Sequence, residues 1–215
     1  MADDFARERG HVFRPQQFDN AANVQAHYET TGPEITAQLL TIGLTPSAFV
    51  AGVGTGGTVM GVAQHLSERF GNQISAHPLE PANSPTLRTG QKVGRHRIQG
   101  ISDEFVPSLL KLNTLGRILD VWDGDAIVMS QRLASELGIA VGISSGANLL
   151  GALEIAHEQG SAACVATVFC DDNKKYLSTD LCSDEECKEH YRCNDVELLD
   201  FRVISPCASA ALTHT

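Results

Sequence analysis

Apolar residues through the middle of the chain follow two patterns in turn. Short runs bounded by glycine or polar residues, at 48–53, 74–79, 118–122, 140–144 and 163–169, predict buried strands. Between them, apolar positions recur at helical spacing. Val59, Val62, Ala63, Leu66 and Phe70 predict a helix over 58–70. Residues 123–138 read as a second helix, with Asp123 or Asp125 as cap and Gly138 as stop. Residues 145–160, rich in alanine and leucine, read as a third. Nearer the start, Thr30 or Thr31 caps a helix with Pro33 in its first turn. Strands alternating with helices of this length imply a parallel sheet covered on both faces, a three-layer α/β fold. Such sheets bind ligands beyond the carboxyl ends of their strands. The turns after Val53 and after Ile143 are therefore the places to look.

The composition is that of a globular protein: 42% hydrophobic and 20% charged over 215 residues. This excludes a disordered chain, a collagen and a coiled coil. No apolar run approaches the roughly 20 residues needed to cross a bilayer, and the first ten residues lack the apolar centre of a signal peptide. A cytoplasmic location and no membrane partner are expected. A net charge of −10 suits a phosphodiester backbone poorly, so nucleic acid is not an expected partner. Cys164 and Cys170 fall in or beside a strand-like run and are expected to be buried thiols. Cys182, Cys187, Cys193 and Cys207 lie in a polar segment that reads as a mobile tail. With His190 the first three would suggest a metal, but their spacing does not match structural zinc sites, and no metal is expected.

Residues 52–58 read Gly-Val-Gly-Thr-Gly-Gly-Thr. Four glycines let the backbone approach a ligand and leave amides free where a helix begins. Those amides and the helix dipole favour an anion, above all a phosphate. The plainer reading is a tight turn with no ligand. Gly52, Gly54 and Gly57 also fit the dinucleotide pattern, and Glu80 lies 23 residues after Gly57, where a nicotinamide-binding fold places an acid on the ribose. The second turn, Gly-Ile-Ser-Ser-Gly at 142–146, carries two serines into the next helix. At least one is expected to cap it. A dinucleotide site has no use for a hydroxyl there, whereas a phosphate-bearing pyridine cofactor has: a hydroxyl suits a neutral ring nitrogen.

Several stretches together resemble the cysteine synthases. They are Gln16-Gln17-Phe18-Asp19-Asn20 with Ala22-Asn23, the run from His27 to Ile35, and the loop at 52–58. Glu80-Pro81 with Ser84-Pro85, the run from His96 to Ile101, 142–146 and Tyr176-Leu177-Ser178-Thr179 complete the series, in the family's order and spacing. The resemblance covers about residues 13–181. It implies a fold type II enzyme, tryptophan synthase β-like, that uses pyridoxal 5'-phosphate for β-replacement on a small amino-acid substrate. The implied reaction takes an activated serine such as O-acetylserine and adds sulfide or another thiol. The resemblance also implies a homodimer for the full-length enzyme. By motif, Gly54, Thr55, Gly56, Gly57 and Thr58 would hold the cofactor phosphate, and Ser144 the pyridine nitrogen. Gln17 would contact the substrate carboxylate, Phe18 would line the pocket and Gly100 would lie on the substrate side. Glu80 would belong to a loop near the cleft. The family carries small residues after Gly-Ile, where this chain has Ser102, Asp103 and Glu104.

The family's Schiff-base lysine lies in a motif resembling Asn-Pro-Ser-Ser-x-Lys-Asp-Arg, which these 215 residues do not contain; the Ser-Gly-Asn-Thr loop is also missing. No catalytic residue is therefore assigned. The expectation is that Met1 corresponds to the middle of a longer enzyme. On that expectation residues 1–35 are a remnant of its first half, 36–181 the cofactor-binding domain and 182–215 a partly extended tail. Such a piece would retain the phosphate site without turnover, and would expose a sheet edge and an apolar face that promote association. A non-catalytic remnant binding a partner is the alternative. Lys174 and Lys175 are expected on the surface rather than as substitutes for the missing lysine.

Overall fold

Strand β1 (Ala48–Gly52) consists of small and apolar residues with no charge, and Ala48, Phe49, Val50 and Ala51 are all buried. That pattern belongs to a strand covered on both faces. The computed structural model describes residues 2–9, 11–71 and 73–204. β1 lies inside a four-stranded parallel sheet with β2 (Ser75–Pro81), β3 (Leu119–Val121) and β4 (Val165–Thr167), in the order β3-β2-β1-β4. Ala48 pairs with Ser75 on one side and Val165 on the other, and Leu79 pairs with Leu119.

Because side chains alternate across a strand, β1 feeds two cores. Phe49, Ala51 and Val53 face helix α4 (Gly57–Phe70) through Val59, Val62 and Leu66. Ala48 and Val50 face α6 (Asp123–Leu137) and α7 (Ile143–Gln159), joining Leu79, Leu119, Ile127, Met129 and Leu150. The predicted three-layer α/β arrangement is the observed one. Three helices precede β1: α1 (Ala2–Arg9), α2 (Ala22–Glu29) and α3 (Thr31–Thr41). α5 (Thr86–Thr89) follows β2. Helices α2 and α4 pack closely at Gly61, where a Cβ would overlap the Val24 carbonyl oxygen. Helix α2 has little amphipathic pattern, and the hydrophobic periodicity does not reveal it. No helix among the described residues is long and apolar enough to cross a membrane.

Five local expectations are corrected. Residues 140–144 form no strand: Val141 makes one isolated antiparallel bridge to Asp172, and α7 begins at Ile143. The Gly142 amide donates to the Asp171 carbonyl at 3.0 Å, so its partner is a loop rather than the sheet. Neither Asp123 nor Asp125 caps α6; Trp122 stands at the N-cap, and both carboxylates bind groups outside the helix. The Thr30 hydroxyl donates back to the Ala26 carbonyl instead of capping α3, although Pro33 does sit in its first turn. Finally, residues 182–196 of the expected tail form a structured strap. Tyr191 and Cys193 are buried against α6, while Cys164 is half-buried and Cys170 exposed, because they lie beyond the two ends of β4. Cys207 lies outside the described residues.

Candidate functional site

The glycine-rich turn connects the end of β1 to the N-terminus of α4. Gly56 is the N-cap, with φ +84°, a left-handed conformation that favours glycine. The first-turn amides of a helix have no carbonyl partner within it, and here they open at the end of a 14-residue helix. The approach of neighbouring chain is close. A Cβ on Gly54 would overlap the Gly100 carbonyl oxygen, and one on Gly57 would overlap the Asn23 side chain. The Ser102 amide donates to the Val53 carbonyl at 2.8 Å, pinning the 100–102 segment across the turn. The structure thus brings Gly100 directly onto the phosphate-loop candidates.

The turn's hydroxyls are oriented from α2. Asn23 Nδ2 donates to Thr55 Oγ1 at 2.9 Å and to the Gln17 carbonyl at 2.8 Å. The Gly57 amide also donates to Thr55 Oγ1, at 3.2 Å. With two bonds accepted, the Thr55 hydroxyl keeps its own proton to donate. Thr58 Oγ1 pairs with His27 Nε2 at 3.2 Å, and His27 Nδ1 pairs with Thr31 Oγ1 at 2.9 Å. Burial lowers the His27 pKa, so the ring is neutral in this relay. Asn23 therefore ties the Gln17 backbone to the turn, while the Gln17 side chain is exposed. Gln17 and Phe18 border a cavity of about 430 Å³ with Phe13 and Phe5. The Phe18 ring meets Phe105 edge-on at 5.1 Å.

The second turn is docked onto the first by a buried amide. Asn148, in the second turn of α7, accepts from the Gly52 amide at 2.7 Å and donates to the Val168 carbonyl at 2.8 Å. One residue thus joins the ends of β1 and β4. Ser144 and Ser145 are buried at the start of α7, and neither caps it, since Gly142 is the N-cap. Ser145 Oγ is buried with no hydrogen-bond partner. Asp171 stands beside the same helix end: its Oδ2 accepts from the Tyr176 hydroxyl at 2.5 Å, and a Cβ on Gly142 would overlap its Oδ1. Burial and this carboxylate push the Tyr176 pKa up to about 12.

Glu80 is directed away from the loop. Its side chain is 1% exposed and Oε2 accepts from the Leu87 amide at 2.6 Å, at the start of α5. Burial raises its pKa despite that bond and the nearby Arg88. A carboxylate committed to α5 is not presented to a ribose. The nicotinamide reading needed Glu80 on a ribose, and a buried carboxylate bound to α5 does not support that role.

The sequence profile of the family described as "Pyridoxal-phosphate dependent enzyme" matches residues 1–171. The chain belongs to this family. It is 42% identical over 182 residues to a probable cysteine synthase of Bacillus subtilis, covering 85% of this chain and 58% of the relative. Among solved structures, a hydrogen sulfide-producing enzyme from Fusobacterium nucleatum superposes with a TM-score of 0.87 at 50% identity, covering 90% of this chain and 57% of that one. An O-acetylserine sulfhydrylase isoform from Entamoeba histolytica matches with a TM-score of 0.78 at 30% identity, over 86% of this chain and 54% of that one. The chain spans less than three fifths of the length of these proteins.

Within this pyridoxal-phosphate family member, sequence reasoning left out Asn148, Asp171 and the positioning role of Asn23. Asn23 stands inside a recognised motif, which was the available signal; a single buried asparagine in an alanine-rich helix carries none. Lys174 and Lys175 are on the surface, as expected. Among the described residues no three metal-binding side chains come together; the His190 ring meets Trp122 and Tyr191 edge-on.

Proposed function

We propose that this chain carries the phosphate- and ring-binding part of a pyridoxal-phosphate-dependent β-replacement site of the cysteine synthase type. The supporting observation is the glycine cradle at 54–57, where a Cβ on Gly54 would overlap the Gly100 carbonyl oxygen and one on Gly57 the Asn23 side chain. The residues present fit the cofactor. In this reading the amides of Gly54, Thr55, Gly56, Gly57 and Thr58 hold the phosphate, with the Thr55 hydroxyl as an added donor. Ser144 hydrogen-bonds the ring nitrogen, and the unpartnered Ser145 hydroxyl marks the same helix end as built for a polar ligand. Gln17 meets the substrate carboxylate, Phe18 lines the pocket and Gly100 leaves room for substrate. When bound, pyridoxal phosphate supplies the electron sink for a carbanion at the substrate α-carbon. A hydroxyl at the ring nitrogen, unlike a carboxylate, does not hold that nitrogen protonated.

The proposed substrates are an activated serine and sulfide or another thiol, giving cysteine or an analogue. Ser102, Asp103 and Glu104 border the substrate side, and we assign them to the choice between such substrates. Ser102 is buried on Thr86 at 3.1 Å, Asp103 is exposed, and Glu104 is exposed and paired with Lys92. Residues 36–181 form the proposed cofactor domain, with α3 running across its first boundary.

These residues contain no Asn-Pro-Ser-Ser-x-Lys motif, so no proton-transferring lysine is assigned and the isolated chain is expected to bind without turnover. Titration with pyridoxal phosphate and borohydride trapping tests this. The expected result is saturable binding displaced by inorganic phosphate, with no reduced lysine adduct and no cysteine formed. A single-site lysine adduct with activity would overturn the inactive reading, and no phosphate-competitive binding would overturn the site itself.

A further inference from the structure

The strap after Leu181 holds a cysteine pair that the proposed site does not use. Cys187 Sγ and Cys193 Sγ stand 3.6 Å apart, six residues from each other in sequence. Cys187 is exposed, whereas Cys193 is 1% exposed and fixed from several sides. Its backbone amide donates to Asp125 Oδ1 at 3.0 Å, and its carbonyl accepts from Arg132 at 2.7 Å. The turn between the two cysteines is already closed. Asn194 Oδ1 accepts from the Cys187 thiol at 2.8 Å, its Nδ2 donates to the Lys188 carbonyl at 2.9 Å, and the Tyr191 amide donates to that same carbonyl at 2.9 Å. A disulfide, about 2.05 Å between sulfurs, requires the exposed Cys187 to move by about 1.5 Å with little change of fold.

The pair is also connected to the substrate side of the molecule. Two residues before Cys187, Glu185 binds Arg97 at 2.6 and 2.8 Å. Arg97 also binds Asp123, and three residues later Gly100 lies over the glycine turn. Fixing Cys187 to the anchored Cys193 therefore fixes the Glu185 end of this connection.

We propose that Cys187 and Cys193 are an oxidative modification site: a peroxide or disulfide oxidant closes them into a disulfide that locks the strap onto Arg97. With hydrogen peroxide, the exposed Cys187 thiolate gives two electrons to the peroxide O–O bond and becomes a sulfenic acid as hydroxide leaves. Cys193 sulfur then attacks Cys187 sulfur; the S–S bond forms, the S–O bond breaks, and the departing hydroxide leaves with the Cys193 proton as water. In total, two thiols and one peroxide give one disulfide and two waters.

The test uses the full chain, oxidised with substoichiometric hydrogen peroxide, alkylated under denaturing conditions and digested with an endopeptidase that cuts after glutamate. Cleavage after Glu186, Glu189 and Glu197 separates the two cysteines. The expected product is peptide 187–189 joined to 190–197 in a species that reductant splits, with two of the six thiols lost to alkylation. Cys187 recovered as a sulfinic acid without a partner, or bridged to Cys182, would overturn the assignment. Cys187→Ser, at an exposed position, should fold and lose the linked species; persistence of a bridge to Cys193 would also overturn it. Amide hydrogen exchange over residues 97–100 should slow severalfold on oxidation of the wild type and stay unchanged in Cys187→Ser. Equal exchange in oxidised and reduced wild type would overturn the link to Arg97.

Discussion

The segment from Arg97 to Ser102 is held at its two ends by opposite means. At Gly100 it presses on the glycine turn, where backbone meets backbone and only a hydrogen side chain fits. At Arg97 it is held by charge. The guanidinium binds Asp123 at 3.0 and 3.1 Å and Glu185 at 2.6 and 2.8 Å, with Asp180 at 3.4 Å. These bonds raise the Arg97 pKa, those to Glu185 most, and keep it a cation at any accessible pH. The first end is governed by volume and the second by electrostatics. The cradle should therefore resist salt and fail on added atoms, while the charged end should tolerate changes of size and fail on loss of charge.

The sharpest way to break the comparison is Gly54→Ala. The added methyl meets the Gly100 carbonyl, which is backbone and cannot swing aside. Overpacking of this kind costs about 1–3 kcal/mol. We expect a stability loss near the top of that range and at least about a tenfold fall in pyridoxal phosphate affinity, the factor that 1.4 kcal/mol represents. Urea unfolding and a binding titration measure the two. Gly57→Ala should cost less, because the obstacle is the Asn23 side chain, which can rotate. Equal losses in the two variants would show that rigidity of the neighbour does not decide the outcome.

Asn148→Ala comes next. It strips the partner from the Gly52 amide and the Val168 carbonyl, both half-buried. An unsatisfied buried group costs about 1–3 kcal/mol. Part of the loss is recovered if water enters, so we expect about 2 kcal/mol in urea unfolding. Asn148→Asp keeps the acceptor for Gly52 and loses the donor to Val168. It should fall between wild type and alanine; a result worse than alanine would mean that the buried charge outweighs the retained bond.

Arg97→Gln tests the charged end. Removing one partner of a fully buried ion pair costs about 3–5 kcal/mol. Arg97 is 36% exposed while Asp123 and Glu185 are 8% and 11% exposed, so water takes up part of the loss. We expect about 1–2 kcal/mol, reduced by added salt in the wild type and not in the variant. A salt-independent loss would place the energy in packing of the side chain instead.

The same contrast explains what could be read from sequence. The cradle is a local pattern: four glycines in seven residues, after a strand and before a helix, make its conformation legible and its proposed phosphate chemistry an expectation. The charged end joins positions 97, 123, 180 and 185, residue types that are ordinary on any surface, and their meeting is decided by tertiary packing. That is why Asp123 reads as a helix cap, and why the strap around Cys193 reads as a loose tail. The supposed strand at 140–144 fails for a related reason. Val141 joins the α6–α7 core from a loop and Ile143 from the first turn of α7, and short apolar runs do not distinguish that from a strand. Ser144 and Gly100 were candidates because they stand in motifs, whereas the position of Asn148 between β1 and the chain after β4 is visible only in the fold.

The smallest expected effect separates the two regions by pH. His27, His65 and His77, on the α2–α4 side and in β2, have pKa values lowered mainly by burial. Below their ordinary value of about 6.5, the unfolded chain binds protons that the folded chain refuses. Stability contributed by these neutral rings is therefore complete above about pH 7 and declines as the pH falls toward the lowered values. For Asp123, burial works to raise the pKa, and the Arg97 guanidinium more than reverses it, so the carboxyl lies below its ordinary range. Its contribution is complete above about pH 4 and is lost only as the pH falls below that. A plot of urea midpoint against pH should show a shallow decline as the pH falls below about 7, then a steeper one below about 4. His27→Gln should flatten the first limb alone, since it removes one of the three rings. Arg97→Gln should flatten the second limb alone, because Asp123 then keeps no charged partner to depress its pKa. A variant that alters both limbs would show that the cradle and the charged end unfold as one coupled unit, despite being held by different forces.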